Sequence, residues 1–218
     1  MSMDFTMVFT GPECRIGNVL ESIERGLSGT GFIRSSAVVR VDFDEYRGVF
    51  DESDEEGIDG MGTISEVLNP LNAWSGGAVE FSRPETGTIY LLVGRGRENC
   101  INAWVDVHER TFRRLFAQNL EGEYYAALNV VAKALTAAGA FGNHDGSFEP
   151  LLTNDLLTKI RRGIRSDTQD PTQLFVVPND RIPALQARAR WGCRTKIWQF
   201  LRGYTVIETE AFKQFWNH

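Results

Sequence analysis

Three histidines and three cysteines are all that 218 residues supply of the side chains that most often ligate transition metals or attack as nucleophiles. Cys14, Cys100 and Cys193 are isolated, odd in number and without CxxC spacing. That excludes a zinc knuckle and a full disulfide framework. No apolar run is long enough to span a bilayer, and MSMDFTMVFTG at the start has an acid at Asp4 and no basic leader. A reducing cytoplasm is the expected compartment. The phosphate loop GxxxxGK[ST] and the GxSxG nucleophile elbow are both missing. Gly94 and Gly96 stand where a dinucleotide-binding turn begins, but the third glycine of that pattern would fall on Asn99, with a strand predicted to follow. No cofactor is therefore expected.

Ordinary globular composition remains: 42% hydrophobic, 11% aromatic and 24% charged residues predict a folded chain with a sizeable core. The net charge of -6 conceals a division. Residues 1–150 carry 12 basic against 23 acidic side chains, and residues 151–218 carry 11 against 6, giving balances of -11 and +5. An acidic α+β domain over 1–142 and a smaller basic α/β subdomain over 150–218 are predicted, either separate or packed as one unit. Much of the acid lies in DFDEYRGVFDESDEEGID, residues 42–59, where nine carboxylates face Arg47 alone. Tested as a calcium loop from Asp51, this run places Glu56 where glycine is needed and Gly62 where the bidentate glutamate belongs. It is predicted instead as an exposed loop presenting a dense anionic surface.

Hydrophobic periodicity predicts a strand over 4–10 and a helix carrying Ile16, Val19, Leu20, Ile23 and Leu27, then a strand over 32–43. Thr63 and Glu66 form a capping-box pattern before a short helix that Pro70 ends. AVEFSRPETGTIYLLVG reads as a hairpin, and CINAWVDV as a further strand. A helix over 121–138 precedes the loop-like FGNHDGSFEP. In the basic part, a helix over 154–164, the strand QLFVV, a helix with Pro183 in its first turn, one long strand or a hairpin bent near Gly203 over 193–207, and a helix capped by Thr209 are predicted. This order is that of an α+β fold: a mostly antiparallel sheet with helices packed on one face.

The most reactive-looking stretch is AWVDVHERTF, residues 103–112. On a strand, Trp104, Asp106 and His108 share a face, and Asp106 could orient His108 as a general base. With His144 and Asp145 they make a two-histidine, two-carboxylate set of the kind that holds a divalent metal. His144-Asp145 resembles the HD dyad of metal-dependent phosphohydrolases in those two residues alone. That dyad belongs on a helix of an all-helical enzyme, whereas GNHDG reads as a loop. Cys14, near a helix start, is the cysteine best placed for a lowered pKa. Arg188, Arg190, Arg194 and Lys196 around Trp191, followed by Trp198, Arg202 and Tyr204, interleave cations with aromatics as single-stranded nucleic-acid grooves do. The whole-chain pI near 5.2 counts against nucleic acid as a partner.

No constellation reaches a named reaction. The expectation is an interaction module that binds and blocks a basic protein partner through Asp51, Glu52, Asp54, Glu55 and Glu56, with Trp104, Asp106 and His108 as further contacts. A bacterial toxin-neutralising immunity protein is a role of that class. A metal-dependent hydrolase using Asp106, His108, His144 and Asp145 is the alternative, and a nucleic-acid-binding module built on the basic part comes third.

Overall fold

The computed structural model describes residues 4–44, 49–52, 64, 76–95, 100–144, 153–165, 173–188 and 196–216. Among them, eleven strands form one sheet in which every pairing is antiparallel. In chain order they are β1 (Asp4–Pro12), β2 (Ile33–Arg34), β3 (Val39–Asp44), β4 (Val49–Glu52), β5 (Gly76–Arg83) and β6 (Gly87–Arg95). Then follow β7 (Cys100–His108), β8 (Gly139–His144), β9 (Leu174–Pro178), β10 (Lys196–Phe200) and β11 (Tyr204–Thr209). Across the sheet the order is β10-β11-β9-β8-β1-β7-β6-β5-β3-β4, with β2 paired to β5. The strands of the basic part thus extend the sheet begun by the acidic part, and the sequence's charge division runs along it from β4 at one end to β10 at the other.

Alternate residues of each strand feed two layers, as the pleat requires. Phe5, Met7 and Phe9 of β1, with Ala103, Val105 and Val107 of β7, face a large core. Covering it are α1 (Ile16–Ser28), α2 (Glu109–Ala117), α3 (Glu121–Ala134) and α6 (Glu210–Trp216). Val19, Leu20, Ile23 and Leu27 of α1 recur at helical spacing and are all buried. An aromatic cluster pins the last helix to the first strand: Phe5 stacks on Phe112 at 4.5 Å, and Trp216 meets Phe112 edge-on at 4.7 Å. Such geometry adds about 0.5–1.5 kcal/mol per pair beyond the burial itself.

The opposite face is apolar as well. Over the basic end it is covered by α4 (Thr153–Arg165) and α5 (Ile182–Arg188), where Leu156, Ile160, Ile164 and Ile182 pack on Phe175, Val177 and Ile207. Nearer the acidic end, Trp104 is buried with Val8, Val41, Ala78 and Leu92. Helices therefore occupy both faces, adding a layer to the one-sided arrangement expected from the sequence.

Thr209 caps α6 by accepting the Phe212 N–H at 2.9 Å, and Gly203 at φ 102° turns the β10-β11 hairpin. The predicted helix over 121–138 ends at Ala134, and Thr136 takes a positive φ of 49° two residues on. The predicted strand over 32–43 is interrupted between β2 and β3. Three elements were not foreseen. Strand β4 (Val49–Glu52), paired with β3, lies within the acidic run expected as an exposed loop. Helix α2 follows β7 directly, and FGNH belongs to β8, the strand between β1 and β9, not to a loop. Of the predicted capping-box helix, only Ile64 lies within the described residues.

Candidate functional site

The acidic end is built by β3 and β4. Their register sets Asp42 directly opposite Asp51, and Glu52 opposite Val41. Like charges at directly opposed positions of an antiparallel pair destabilise the pairing. Among the described strands, β4 is the last at this end of the sheet. Asp54, Glu55 and Glu56 continue the chain from β4 and lie outside the described residues.

AWVDVHERTF sits at the centre of the sheet. Trp104 faces Val8 on one side and Leu92 on the other, and its ring is completely buried. This corrects its expected role: flanked by β1 and β6, it forms the floor of a buried layer and offers no contact surface. Two residues further along, Asp106 is paired with Thr6 and Tyr90. The Thr6 hydroxyl donates to Asp106 Oδ1 at 2.5 Å. Burial pushes the Asp106 carboxyl up to about 6; the Thr6 hydrogen bond opposes the rise, Asp4 adds to it, and His108 opposes it.

His108 is exposed and serves as the N-cap of α2, its Nδ1 accepting the Arg110 N–H at 3.2 Å. Glu109 is engaged at 2.7 Å by Arg113, one helical turn on. The general-base arrangement is thus dismantled: Asp106 is held by a threonine and His108 by a helix start. Of the four-residue metal set, residue 144 pairs with Phe5 of β1 and residue 106 with Thr6, and the His144 side chain lies outside what the structure describes. Asp145 lies outside the described residues, among which no group of three or more His, Cys, Asp or Glu residues could hold a metal ion.

No protein-family model and no curated protein matches this chain. Among solved structures it is similar to the Pseudomonas aeruginosa T6SS protein PA0821, at 10% sequence identity and a TM-score of 0.43. That match covers 95% of this chain and 64% of the other, so the chain spans less than two thirds of that structure's length.

Of the cationic-aromatic set of the basic part, the two described aromatics are committed to packing. Trp198 lies against the second-face core, and the buried Tyr204 donates its hydroxyl to the Ala137 carbonyl at 3.0 Å. Lys196 is buried and Arg202 exposed. Trp191, Arg190 and Arg194 lie outside the described residues, as does the Arg188 side chain. Cys14 is exposed, and partial desolvation together with the Glu13 carboxylate raises its thiol pKa, against the expected lowering. No described helix is long and apolar enough to cross a membrane.

One polar centre had no counterpart in the sequence reading. The fully buried Glu208 accepts the Tyr125 hydroxyl at 2.5 Å and the Gln199 amide at 2.5 Å. Lys213 approaches Glu208 at 3.6 Å and Glu121 at 3.0 Å. Burial raises the Glu208 pKa, while Tyr125, Lys213 and Gln199 oppose the rise. Its members are scattered from 121 to 213, so no local spacing announces it. The network ties α3, α6 and the β10-β11 hairpin together, which is structural work.

Proposed function

We propose that this protein is an interaction module that binds and blocks a basic protein partner through its acidic end, in the manner of a bacterial toxin-neutralising immunity protein. The observation that carries the reading is the Asp42-Asp51 register at the end of the sheet. A register that pairs two aspartate positions, with the acidic sequence of 51–56 continuing from that strand, concentrates acidic residues at an end of the sheet that a cationic surface would complement. The loss of the enzyme-like geometry around Asp106 and His108 favours this reading over the hydrolase. Asp51, Glu52, Asp54, Glu55 and Glu56 supply long-range attraction, with the exposed His108 as a further contact further along the sheet.

The test is charge reversal of all five carboxylates to lysine. Affinity capture from a native lysate, followed by mass spectrometry, should recover a basic protein with the wild-type chain and lose it with the reversed one. An unchanged set of captured proteins overturns the reading. A purified partner whose activity falls when wild-type protein is added, and not when the reversed variant is added, would establish blocking as distinct from binding.

A further inference from the structure

On the second face of the basic end, α4 and α5 do not close against each other. A cleft of about 290 Å³ lies between them, close to the lower limit, roughly 300 Å³, of small-molecule sites. Leu157, Ile160, Val177 and Leu185 line it. Its remaining wall is cationic: Arg161, Arg165 and Arg181 all border the cavity and all are exposed, against the single carboxylate of Asp180.

The placement follows from helical spacing. Leu157, Arg161 and Arg165 recur every four residues and so form one row along α4, while Ile160 and Ile164 belong to the stripe buried in the core beneath. Arg181 enters from the opposite side, in the 3-10 turn (Asn179–Arg181) that leads into α5. Arginine stems cover apolar surface while their guanidinium heads remain at its mouth. Among the described residues, none of these three guanidiniums makes an ion pair. The combination is an apolar slot with uncommitted planar cations at its entrance, which suits one carboxylate or phosphate group carried on an apolar body.

We propose that this cleft binds a small anionic amphiphile: an alkyl or aryl chain of about ten carbons or fewer, buried between α4 and α5, with a carboxylate or phosphate head held by Arg161, Arg165 and Arg181. The slot is too small for a partner helix, about 10 Å across with its side chains, and the charge complementarity selects an anionic ligand over a neutral one. The proposal is independent of the acidic end, whose carboxylates lie at the other end of the sheet.

Thermal unfolding of the full chain is the test, with decanoate, decyl phosphate, decanol and inorganic phosphate as separate probes below their micelle-forming concentrations. Decanoate, decyl phosphate or both should raise Tm, by about 5 °C or more at ~100 times Kd. Decanol and inorganic phosphate should each give a much smaller shift. Which anionic probe gives the larger shift distinguishes a carboxylate from a phosphate source. The shift should disappear in the Arg161→Ala/Arg165→Ala variant and in Ala184→Trp, which fills the cleft from an exposed position of α5. Should either variant lower the unliganded Tm substantially, Arg181→Gln takes its place. The proposal is overturned if neither anionic probe raises Tm, if decanol matches them, or if the shift survives in the cleft variants.

Discussion

Asp106 and His108 show how a reaction-like pattern can be absorbed by local structure. An aspartate paired in the sheet beside Tyr90 and bonded to Thr6 has lost much of its hydration, and its carboxyl accordingly titrates near 6. A folded-state pKa above the ordinary 3.8 means that the native state binds more protons than the unfolded chain between these values. Stability is therefore lost as pH rises from about 4 to about 6, and is constant above that with respect to this group. Asp106→Asn removes the ionisation penalty and keeps an acceptor for Thr6. It should raise stability at pH 7 by about 1–3 kcal/mol and abolish this part of the pH dependence, measured by chemical denaturation across that range. An unchanged slope between pH 4 and 6 would rule out Asp106 as its source. The sequence made the proximity of Asp106 and His108 legible, because a two-residue step on a strand fixes the face. Their partners were not legible: Thr6 is a hundred residues away, and the capping role of His108 depends on a helix starting at the next residue.

Among the elements, those with strong periodicity were legible and those built by exception were not. Helix α1, the β5-β6 hairpin, β7 and the final capped helix each carry their own pattern of burial and punctuation. Strand β8 has the composition of a loop, and the reason is steric. A Cβ at Gly142 would lie 2.0 Å from Met7 Sδ and 2.8 Å from Phe5 Cζ. Glycine in this strand allows the large side chains of β1 to sit against its backbone. Gly142→Val should accordingly cost about 3 kcal/mol or more, since overpacking meets side chains that are themselves locked in the core; a loss under about 1 kcal/mol by denaturant titration would contradict this packing account. Helix α2 did carry a signal, in Phe112, Leu115 and Phe116 at helical spacing, overshadowed by the apparent chemistry of the residues before it. At the other end of the chain, Thr209→Ala removes the α6 cap and should cost about 1–2 kcal/mol, or a Tm fall of roughly 2–8 °C for a chain of this length. Thr209→Ser, which retains the hydroxyl, should recover much of that loss.

At the scale of the whole molecule, the division of charge read from the sequence becomes a direction in space. Residues 1–150, acidic in balance, supply β1 to β8, residues 151–218, basic in balance, supply β9 to β11 at one end, and one hydrogen-bonded sheet joins them. Such a distribution orients the protein in the field of a charged partner before contact is made. Association with a basic partner should slow by roughly tenfold or more between low and high salt while dissociation changes far less; stopped-flow measurements that find equal effects on both rates would exclude steering by the acidic end. The continuity of the sheet was the least legible feature of all, because pairing between β8, β1 and β9 joins segments with no local relation to one another.

The central position of β1 also bears on how the chain can be made. Its two neighbours are β7 and β8, so β1, once synthesised, waits for residues 100–108 on one side and 139–144 on the other. Contacts of such sequence separation slow folding, since the closure of long loops precedes the stability that rewards it. Until residue 144 has emerged, β1 presents the bare edge of an apolar strand. During synthesis, the middle of this sheet is thus the last part of the acidic half to be sealed and the place where a nascent chain is most open to pairing with another copy of itself.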